Sequence, residues 1–308
     1  MQIIESTEEF QIDGRNAIAI GKFDGIHKGH TELLKHILKQ KENGMKAVVF
    51  TFNPPASVYF GKSGEKELTP LLEKRRYFQN LGIDVLVEFP LNRHTAATPA
   101  KEFIERILAG QMNAAYIVAG TDLSFGDRGM GNKDLLQEFA AKFNYQVQII
   151  DKITCDGREI SSSYVREEVE KGNMEKAAKL LGRNYTVTGV VETGKKLGRR
   201  LGMPTLNLYP PEDKLLPPNG VYYSYVSCKG KRYNSITNIG QKPTVNDMPV
   251  VSVESYLYGY AGDMYGEEIV TELIHFRRPE MKFRNMEELK CQMEADVEAG
   301  RKYHENEI

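Results

Sequence analysis

The sequence predicts an α/β protein of two domains: a mostly parallel sheet covered by helices on both faces, followed by a small antiparallel β-barrel. Three observations predict this fold. The chain has 308 residues, too many for one small core and enough for two. Strand and helix patterns alternate in its first half, whereas its second half is a series of short β-type runs separated by glycine and proline. Gly182 ends the last helical pattern before this change, so we place the domains at 1–182 and 183–308.

Apolar runs in the first half are typical of buried strands in a parallel sheet. They occupy residues 17–20, 47–52, 84–89, 114–120 and 145–151. Helical patterns follow the same alternation and lie at residues 31–40, 100–110, 135–143 and 162–181, the last with a break at Gly172-Asn173. Thr69-Pro70 predicts one more helix, with a capping hydroxyl and with proline at the first helical position. Strands that alternate with helices in this way indicate a parallel sheet.

The second half predicts a meander of strands that forms a barrel. Its strand-like runs read "TVTGVVETG", "GVYYSYVS", "NSITNIG", "SVESYLYGY" and "EEIVTELIHF". A terminal helix is predicted over residues 285–300, with Asn285 as its cap and Glu288 three residues further on. The apolar stripe of this helix consists of Met286, Leu289, Met293 and Val297.

Charge and composition narrow the possible partners. The formal net charge of -1 gives no global basic field, so we expect no nucleic-acid partner. No apolar run reaches the roughly 18–20 residues of a membrane span, and we see no secretory signal. Cys155, Cys228 and Cys291 show no metal or disulfide spacing, which is typical of thiols in a reducing compartment. We therefore expect a cytoplasmic protein that acts on small molecules.

The segment "GKFDGIHKGH" follows the first predicted strand and opens the next helix. Glycines let the backbone approach a ligand there, and a helix N-terminus favours phosphate. His27 and His30 can both face such a phosphate and donate hydrogen bonds as charge builds on it. The segment is neither a Walker A loop nor a dinucleotide fingerprint. Its two histidines suit transfer of a nucleotidyl group, in which positioning and charge stabilisation outweigh covalent chemistry. Two exposed histidines in a glycine-rich turn, or a metal-binding pair, are the alternatives.

Two further polar loops follow predicted strands and therefore share the same sheet edge. The first reads "GTDLSFGDRGMGN" and follows the strand at 114–120. The second reads "ISSSYVR" and opens a helix, so that its hydroxyls and Arg166 can hold an anion. For either loop alone, a helix cap and a surface arginine is the simpler interpretation.

In the second half, "GRRLGMPTLNL" places Thr205 and Asn207 on one side of an extended segment. Their oxygen atoms suit Mg²⁺ together with a phosphate oxygen, although a Pro-Thr turn at a strand start explains them equally well. Glu254, in "VESYLYGY", lies on a strand and is a candidate general base for a hydroxyl nucleophile. A solvated glutamate on a strand face is the alternative.

Together these segments resemble the bifunctional prokaryotic riboflavin kinase/FAD synthetase family. The resemblance rests on "GKFDGIHKGH", "TFNPP", "GTDLSFG" and "ISSSYVREEVEKGNMEKAAKLLGR" in the first half, and on "GMPTLNL", "NIGQKPTV", "VESYLY" and "RRPEMKF" in the second. It implies a Rossmann-like nucleotidyltransferase domain and a six-stranded antiparallel barrel with a terminal helix. We expect a monomer or a weak homo-oligomer.

For the first domain, the resemblance implies transfer of AMP from ATP to FMN, giving FAD and pyrophosphate. It implies that His27 and His30 contact the ATP phosphates. The other nucleotide-binding positions that it implies are Gly21, Phe23, Asp24, Gly25, Asp122, Ser162, Ser163 and Arg166. The flavin-binding positions that it implies are Asn53, Pro54 and Phe60. Pro54-Pro55-Ala56 stands where the family has Pro-His-Pro, which leaves a non-catalytic flavin- or nucleotide-binding domain as the alternative.

For the second domain, the resemblance implies phosphorylation of riboflavin to FMN by ATP with Mg²⁺. Glu254 would deprotonate the 5′-hydroxyl of riboflavin for attack on the γ-phosphate. Thr205 and Asn207 would hold Mg-ATP. The other nucleotide-binding positions that it implies are Gly194, Gly198, Gly202 and Pro204. The segment from Arg277 to Phe283 would lie near the flavin.

Overall fold

The computed structural model describes residues 1–5, 7–61, 66–193, 202–243, 249–260 and 262–306. The chain divides into two compact units, Met1–Ser162 and Ser163–Ile308. The boundary predicted at 182/183 stays a prediction. Within the described ranges, no helix combines the length and the hydropathy of a membrane span.

The first unit is built on a parallel sheet, as the alternating pattern predicts. Its strands are β1 (Gln2–Glu5), β2 (Asn16–Ile20), β3 (Lys46–Asn53), β4 (Val85–Pro90), β5 (Ala114–Gly120) and β6 (Gln146–Ile150). They lie in the order β1-β4-β3-β2-β5-β6, and each neighbouring pair is parallel. A two-stranded ribbon, β7 (Thr154–Cys155) and β8 (Arg158–Glu159), follows β6.

Helices cover both faces of this sheet. They are α1 (Lys28–Lys39), α2 (Ala56–Tyr59), α3 (Leu71–Leu81), α4 (Arg93–Ala96), α5 (Ala100–Glu102) and α6 (Lys133–Phe143). α5 continues as a π-helical segment, Phe103–Gln111, and short 3₁₀ turns lie at Gln40–Asn43 and Asp127–Gly129. Neighbouring residues of β2 point to opposite faces: Ala17 and Ala19 pack in one core, and Ile18 and Ile20 in the other. The apolar run predicted at 17–20 is thus buried on both sides.

The start of α3 corrects one prediction. Pro70 is the N-cap residue and Leu71 is the first helical residue, and no side chain caps this helix. Thr69 therefore lies one position before the cap. Its backbone N–H donates instead to Oδ1 of Asp24, at 3.2 Å.

The boundary between the two units falls after the first residue of α7 (Ser162–Glu170), so the rest of this helix belongs to the second unit. α8 (Met174–Leu181) follows. The break between the two helices falls at Gly172, as predicted, and Gly182 ends α8 in the left-handed conformation. The barrel strands are β9 (Tyr185–Glu192), β10 (Leu206–Leu208), β11 (Gly220–Cys228), β12 (Lys231–Pro243), β13 (Pro249–Leu257) and β14 (Glu268–Pro279).

The barrel is closed in the order β10-β13-β12-β11-β14-β9. A hydroxyl network that includes Ser224, Thr237 and Ser255 is buried in it, with oxygen–oxygen distances of 2.7–2.8 Å. The parallel sheet, the six-stranded barrel and the terminal helix confirm the predicted fold class.

The terminal helix, α9 (Met286–Asn306), is longer than predicted. Asn285 Oδ1 accepts from the Glu288 backbone N–H at 2.9 Å, so the helix begins where the capping pattern indicates. Gly300 does not end it. A Cβ at Gly300 would overlap the Tyr258 hydroxyl and lie 3.2 Å from the Tyr223 ring. Glycine is required there for close packing of the helix on the barrel rather than for a turn.

Candidate active sites

The first candidate site lies where the strand order of the parallel sheet reverses. From β2 the chain adds β3 and β4 on one side, and β5 and β6 on the other. The loop after β2 contains residues 21–27, and the loop after β5 contains residues 121–132. Both leave the carboxyl ends of neighbouring parallel strands. This switch point is where open α/β sheets bind their ligands.

The imidazoles of His27 and His30 stack at the start of α1. Their ring centroids are 3.8 Å apart and the ring planes differ by 19°. His27 is the N-cap residue, and its Nδ1 accepts from the His30 backbone N–H at 3.4 Å. An accepting Nδ1 leaves the proton of the neutral ring on Nε2, which can therefore donate. The structure thus brings both histidines to a helix N-terminus, which favours anions.

The loop before these histidines has an unusual backbone. Phe23 and Ile26 have positive φ angles of 51° and 42°, and Gly25 has one of 78°. Both apolar side chains are fully buried, and the Phe23 ring lies 5.1 Å from that of His30. Burial of the Phe23 and Ile26 side chains offsets the conformational cost of their positive φ angles. The Phe23 ring also packs against the His30 imidazole and helps to fix its position.

Asp24 ties this loop to two other segments of the first unit. Its Oδ1 accepts from Thr69 N, and its carbonyl oxygen accepts from Ser162 Oγ at 2.9 Å. Gly21 precedes it, and a Cβ there would lie 3.1 Å from the Phe23 ring. The structure therefore brings Gly21, Phe23, Asp24 and Ser162 together around the histidine loop.

The remaining predicted positions of this site lie on neighbouring loops. Asp122 follows β5, and its Oδ2 is 3.5 Å from Lys152 Nζ. The hydrogen bond from Lys152 to Glu159, and then the charge of Asp122, raise the pKa of Lys152. Asn53 ends β3, and Pro54 follows it. Phe60 follows α2 with 69% of its surface exposed.

Ser163 and Arg166 lie on α7, and the structure assigns them to the second unit. Ser163 is exposed and Arg166 is half-buried. Their place in the nucleotide site stays a prediction.

The second candidate site is on the outer face of the barrel. Asn207 on β10 and Asn238 on β12 are both directly opposite Glu254 on β13. Val221 on β11 is opposite Asn238 and extends the same row. Residues directly opposite each other in antiparallel strands project from the same face of the sheet. The register therefore places one carboxylate between two amides.

Glu254 lies in the wall of a cavity of about 240 Å³ between the barrel and α9. Much of this wall is apolar and includes Val221, Ile236, Phe283, Leu289, Met293 and Val297. Its polar residues are Thr205, Asn238, Glu254, Tyr256, Arg278, Glu280 and Asp296. The cavity thus combines an apolar surface with a polar edge that carries the candidate base.

A second, smaller cavity of about 30 Å³ lies beside the first. Its wall includes Pro204, Thr205, Tyr260 and Asp263. Thr205 lines both cavities. Asn207 is buried, and its Nδ2 donates to the Thr205 carbonyl oxygen at 3.4 Å. Gly202 precedes this segment with a φ of +79°, whereas Gly194 and Gly198 lie outside the described residues.

The arginine that lines the larger cavity is Arg278, next to the predicted Arg277. Arg278 Nε and Nη2 both donate to Oδ2 of Asp296, at 2.9 and 2.6 Å. Arg277 is largely exposed, and its Nε is 3.9 Å from Oδ1 of the same aspartate. Phe283 lines the cavity, and its contact with the flavin stays a prediction.

Sequence patterns did not single out Asn238 or Asp296, and they placed Arg278 only within the segment from Arg277 to Phe283. Arg278 and Asp296 lie on different elements, β14 and α9, and no local spacing connects them. Asn238 follows from the register of β12 against β13, which places it directly opposite Glu254.

Comparison with known proteins assigns both units. The family model for FAD synthetase matches residues 9–164, and the model for riboflavin kinase matches residues 181–304. The bifunctional riboflavin kinase/FMN adenylyltransferase of Listeria monocytogenes is 33% identical over 301 residues, covering 97% of this chain and 95% of the relative. The chain belongs to the bifunctional riboflavin kinase/FMN adenylyltransferase family.

Two further comparisons also match nearly the whole length of this chain. The family member from Haemophilus influenzae is 32% identical and covers 93% of this chain and 94% of its own length. A crystal structure described as a macrolide-efflux protein from Streptococcus pneumoniae superposes with a TM-score of 0.83 at 27% identity, over 94% of this chain and 95% of that chain. As a member of the family, the chain is a riboflavin kinase and an FMN adenylyltransferase, which confirms the predicted function.

Proposed function

We propose that riboflavin phosphorylation takes place in the 240 Å³ cavity on the barrel and that FMN adenylylation takes place at the switch point of the parallel sheet. The observation that carries the first assignment is the position of Glu254. It is at the polar edge of an otherwise largely apolar cavity and between two amides of neighbouring strands. An apolar wall fits a flavin ring, and a polar edge fits its hydroxylated chain.

In the kinase reaction, Glu254 accepts the proton of the riboflavin 5′-hydroxyl. The hydroxyl oxygen then forms a bond to the γ-phosphorus of ATP, and the bond from that phosphorus to the bridging oxygen breaks, giving FMN and ADP. Glu254 is half-buried, which keeps its carboxylate near the substrate rather than in bulk water. Thr205 lines both cavities, so we place the nucleotide phosphates beside it, next to Pro204. The predicted nucleotide contacts of Gly194, Gly198 and Gly202 stay predictions.

Mg²⁺ fits the chemistry of Thr205 and Asn207. A hydroxyl and an amide oxygen are hard donors, which this ion prefers, and it keeps phosphate and water oxygens as its other ligands. The described residues contain no group of three or more His, Cys, Asp or Glu side chains that could hold a metal ion. A site shared with ATP phosphates agrees with that finding. When bound, the ion supplies positive charge to the transferring phosphoryl group.

In the adenylyltransferase reaction, a phosphate oxygen of FMN attacks the α-phosphorus of ATP, and pyrophosphate leaves. His27 and His30 donate hydrogen bonds to the phosphate oxygens while negative charge builds on them. The N-terminus of α1 contributes its backbone N–H groups. Asp122 and Ser162 complete the nucleotide contacts that we propose within the first unit, and Asn53, Pro54 and the exposed ring of Phe60 face the flavin. The nucleotide contacts of Ser163 and Arg166 stay a prediction.

Two single variants test both assignments in the full chain. Each protein is incubated with Mg-ATP and either riboflavin or FMN, and the flavins are separated by chromatography. Glu254→Gln should form no FMN from riboflavin but should still convert FMN to FAD. His30→Ala should convert riboflavin to FMN and stop there. Equal loss of both activities in one folded variant would contradict separate sites.

The same experiment decides between catalysis and regulation in the first unit. FMN left unchanged by the unsubstituted protein, under oxidising and reducing conditions alike, would show a binding domain without catalysis.

The cellular context follows from the same proposal. We place the protein in the cytoplasm, where free cysteines such as Cys155, Cys228 and Cys291 stay reduced. Its partners are the small molecules riboflavin, FMN and ATP, and a net charge of -1 offers no general attraction to nucleic acid. Light scattering of the purified chain tests the expectation of a monomer or a weak homo-oligomer.

A further inference from the structure

Asn238 occupies a particular place in the row that crosses the barrel. In that row Glu254 has Asn207 on one side and Asn238 on the other, and Val221 follows Asn238. Glu254, Asn238 and Val221 all line the 240 Å³ cavity. Asn238 is therefore between the candidate base and the apolar part of the wall.

The space next to the Asn238 amide is kept open by Gly240. A Cβ at Gly240 would lie 3.2 Å from Nδ2 of Asn238 and would overlap the carboxylate of Glu280. Because Gly240 has no side chain, the amide and the Glu280 carboxylate can approach the same patch of β12. Glu280 also lines the cavity.

The Asn238 amide has hydrogen-bonding capacity to offer a ligand. Its side chain is half-buried, and it makes no side-chain hydrogen bond within the part of the chain that the structure describes. An amide carries two donor hydrogens and an acceptor oxygen. Neighbouring hydroxyl groups on a carbon chain need both functions. An apolar side chain at this position would leave the hydroxyls unpaired at a half-buried place.

The proposed function fixes what must pass this position. The flavin ring is to lie on the apolar wall, and the 5′-hydroxyl is to lie at Glu254. The chain that joins them is the ribityl group, whose intermediate carbons bear hydroxyls. We propose that Asn238 hydrogen-bonds these hydroxyls and so makes the kinase cavity selective for flavins that carry a polyhydroxylated chain. This inference rests on the proposed function of the cavity.

The test compares two flavins that differ only in this chain. Riboflavin and lumiflavin, in which a methyl group replaces the ribityl group, are titrated against the full chain by the quenching of flavin fluorescence. Asn238→Leu keeps the size of the side chain and removes its polar atoms. It should weaken riboflavin binding about five- to tenfold, as expected for one hydrogen bond, and should leave lumiflavin binding unchanged. Turnover should show a higher KM for riboflavin with little change in kcat.

Two further variants make the result decisive. Ile236 lies on the same strand and in the same cavity wall, so Ile236→Val should weaken the binding of both flavins equally. If Asn238→Leu does not fold, Asn238→Ala replaces it in the same binding titrations. Equal weakening of both flavins by the Asn238 variants, or no weakening of riboflavin, would overturn the proposal. The unsubstituted protein could phosphorylate riboflavin while the Ile236 and Asn238 variants bind both flavins with unchanged affinity. The cavity would then be wrongly assigned as the riboflavin site.

Discussion

Contacts within its own helix help to hold the His27 ring in place. Its Nδ1 accepts from the His30 backbone N–H, its ring stacks on that of His30, and Gly29 lies between them. A Cβ at Gly29 would be 3.1 Å from both Cε1 and Nδ1 of His27. The φ of Gly29 is not in the left-handed region, so the backbone does not require a glycine here. Glycine is needed instead because a side chain at this position would push against the His27 ring.

Gly29→Ala should separate catalysis from stability. Alanine favours a helix over glycine by up to about 1 kcal/mol, so the free energy of unfolding should not fall. The added methyl group displaces the His27 imidazole by a few tenths of an ångström, and we expect FMN adenylylation to slow about tenfold, since such sites depend on position. Riboflavin phosphorylation is measured in the same samples and should be unchanged. Lys35→Ala, exposed on the same helix, is the matched control.

At the scale of elements, a buried ion pair joins α9 to the barrel. Asp296 is 3% exposed and receives two hydrogen bonds from Arg278 of β14 and one from Gln292 Nε2, at 3.1 Å. Aromatic side chains reinforce the contact: the rings of Tyr223 and Tyr303 are 4.7 Å apart. Burial raises the pKa of Tyr223 and of Tyr258, so both phenols keep their protons.

Asp296→Asn should loosen α9 over the cavity. Loss of the carboxylate leaves Arg278 without its buried partner, and we expect about 3 kcal/mol of destabilisation in urea unfolding. Riboflavin KM should rise because Arg278 and Asp296 line the cavity. Glu294→Gln, at an exposed position of the same helix, should change neither quantity. A stable Asp296→Asn protein with normal KM would contradict this account.

Another buried ion pair joins α3 to β4 in the first unit. The side chain of Glu88 is fully buried, and its Oε1 accepts from Arg75 Nε at 2.8 Å. The hydrogen bond to Glu88 raises the pKa of Arg75, which also bonds Glu5 of β1. Three elements therefore meet at one guanidinium.

Arg75→Leu should destabilise the first unit by about 3–5 kcal/mol, because it leaves the Glu88 carboxylate buried and unpaired. The double variant Arg75→Leu with Glu88→Leu should recover most of that loss, since an apolar pair needs no compensation. Urea unfolding of both proteins gives the two free energies. A double variant no more stable than the single one would show that the pair is needed for more than charge neutralisation.

At the scale of the whole molecule, two compact units carry two chemistries. FMN is the product of one and the substrate of the other. Both candidate sites are built from residues of a single unit in their central parts: the histidine loop in the first, and the row through Glu254 in the second.

A mixture of the Glu254→Gln and His30→Ala proteins should therefore restore FAD synthesis from riboflavin. FMN made by one protein reaches the other through solution, so FAD should appear after a lag that shortens as protein concentration rises. Chromatography of timed samples measures the lag. FMN that accumulates while no FAD forms would show that FMN must be transferred within one chain.

Local chemistry accounts for what could be predicted. Apolar runs located β2 to β6 to within a residue or two but did not indicate β1, and Asn285 marked the start of α9. Where a residue's role depends on a distant contact, the predictions were wrong: Thr69 bonds Asp24 instead of capping α3, and Gly300 packs against Tyr258 instead of ending α9.

The sequence by itself determined the two folds, their order and the motifs around His27 and Glu254, because apolar periodicity, glycine and helix capping act over a few neighbouring residues. Only the tertiary structure decided that the loops after β2 and β5 meet at a reversal of strand order. It alone placed Asn238 beside Glu254 and joined Arg278 to Asp296. These arrangements depend on strand register and helix packing, which are set by the burial of many distant side chains at once.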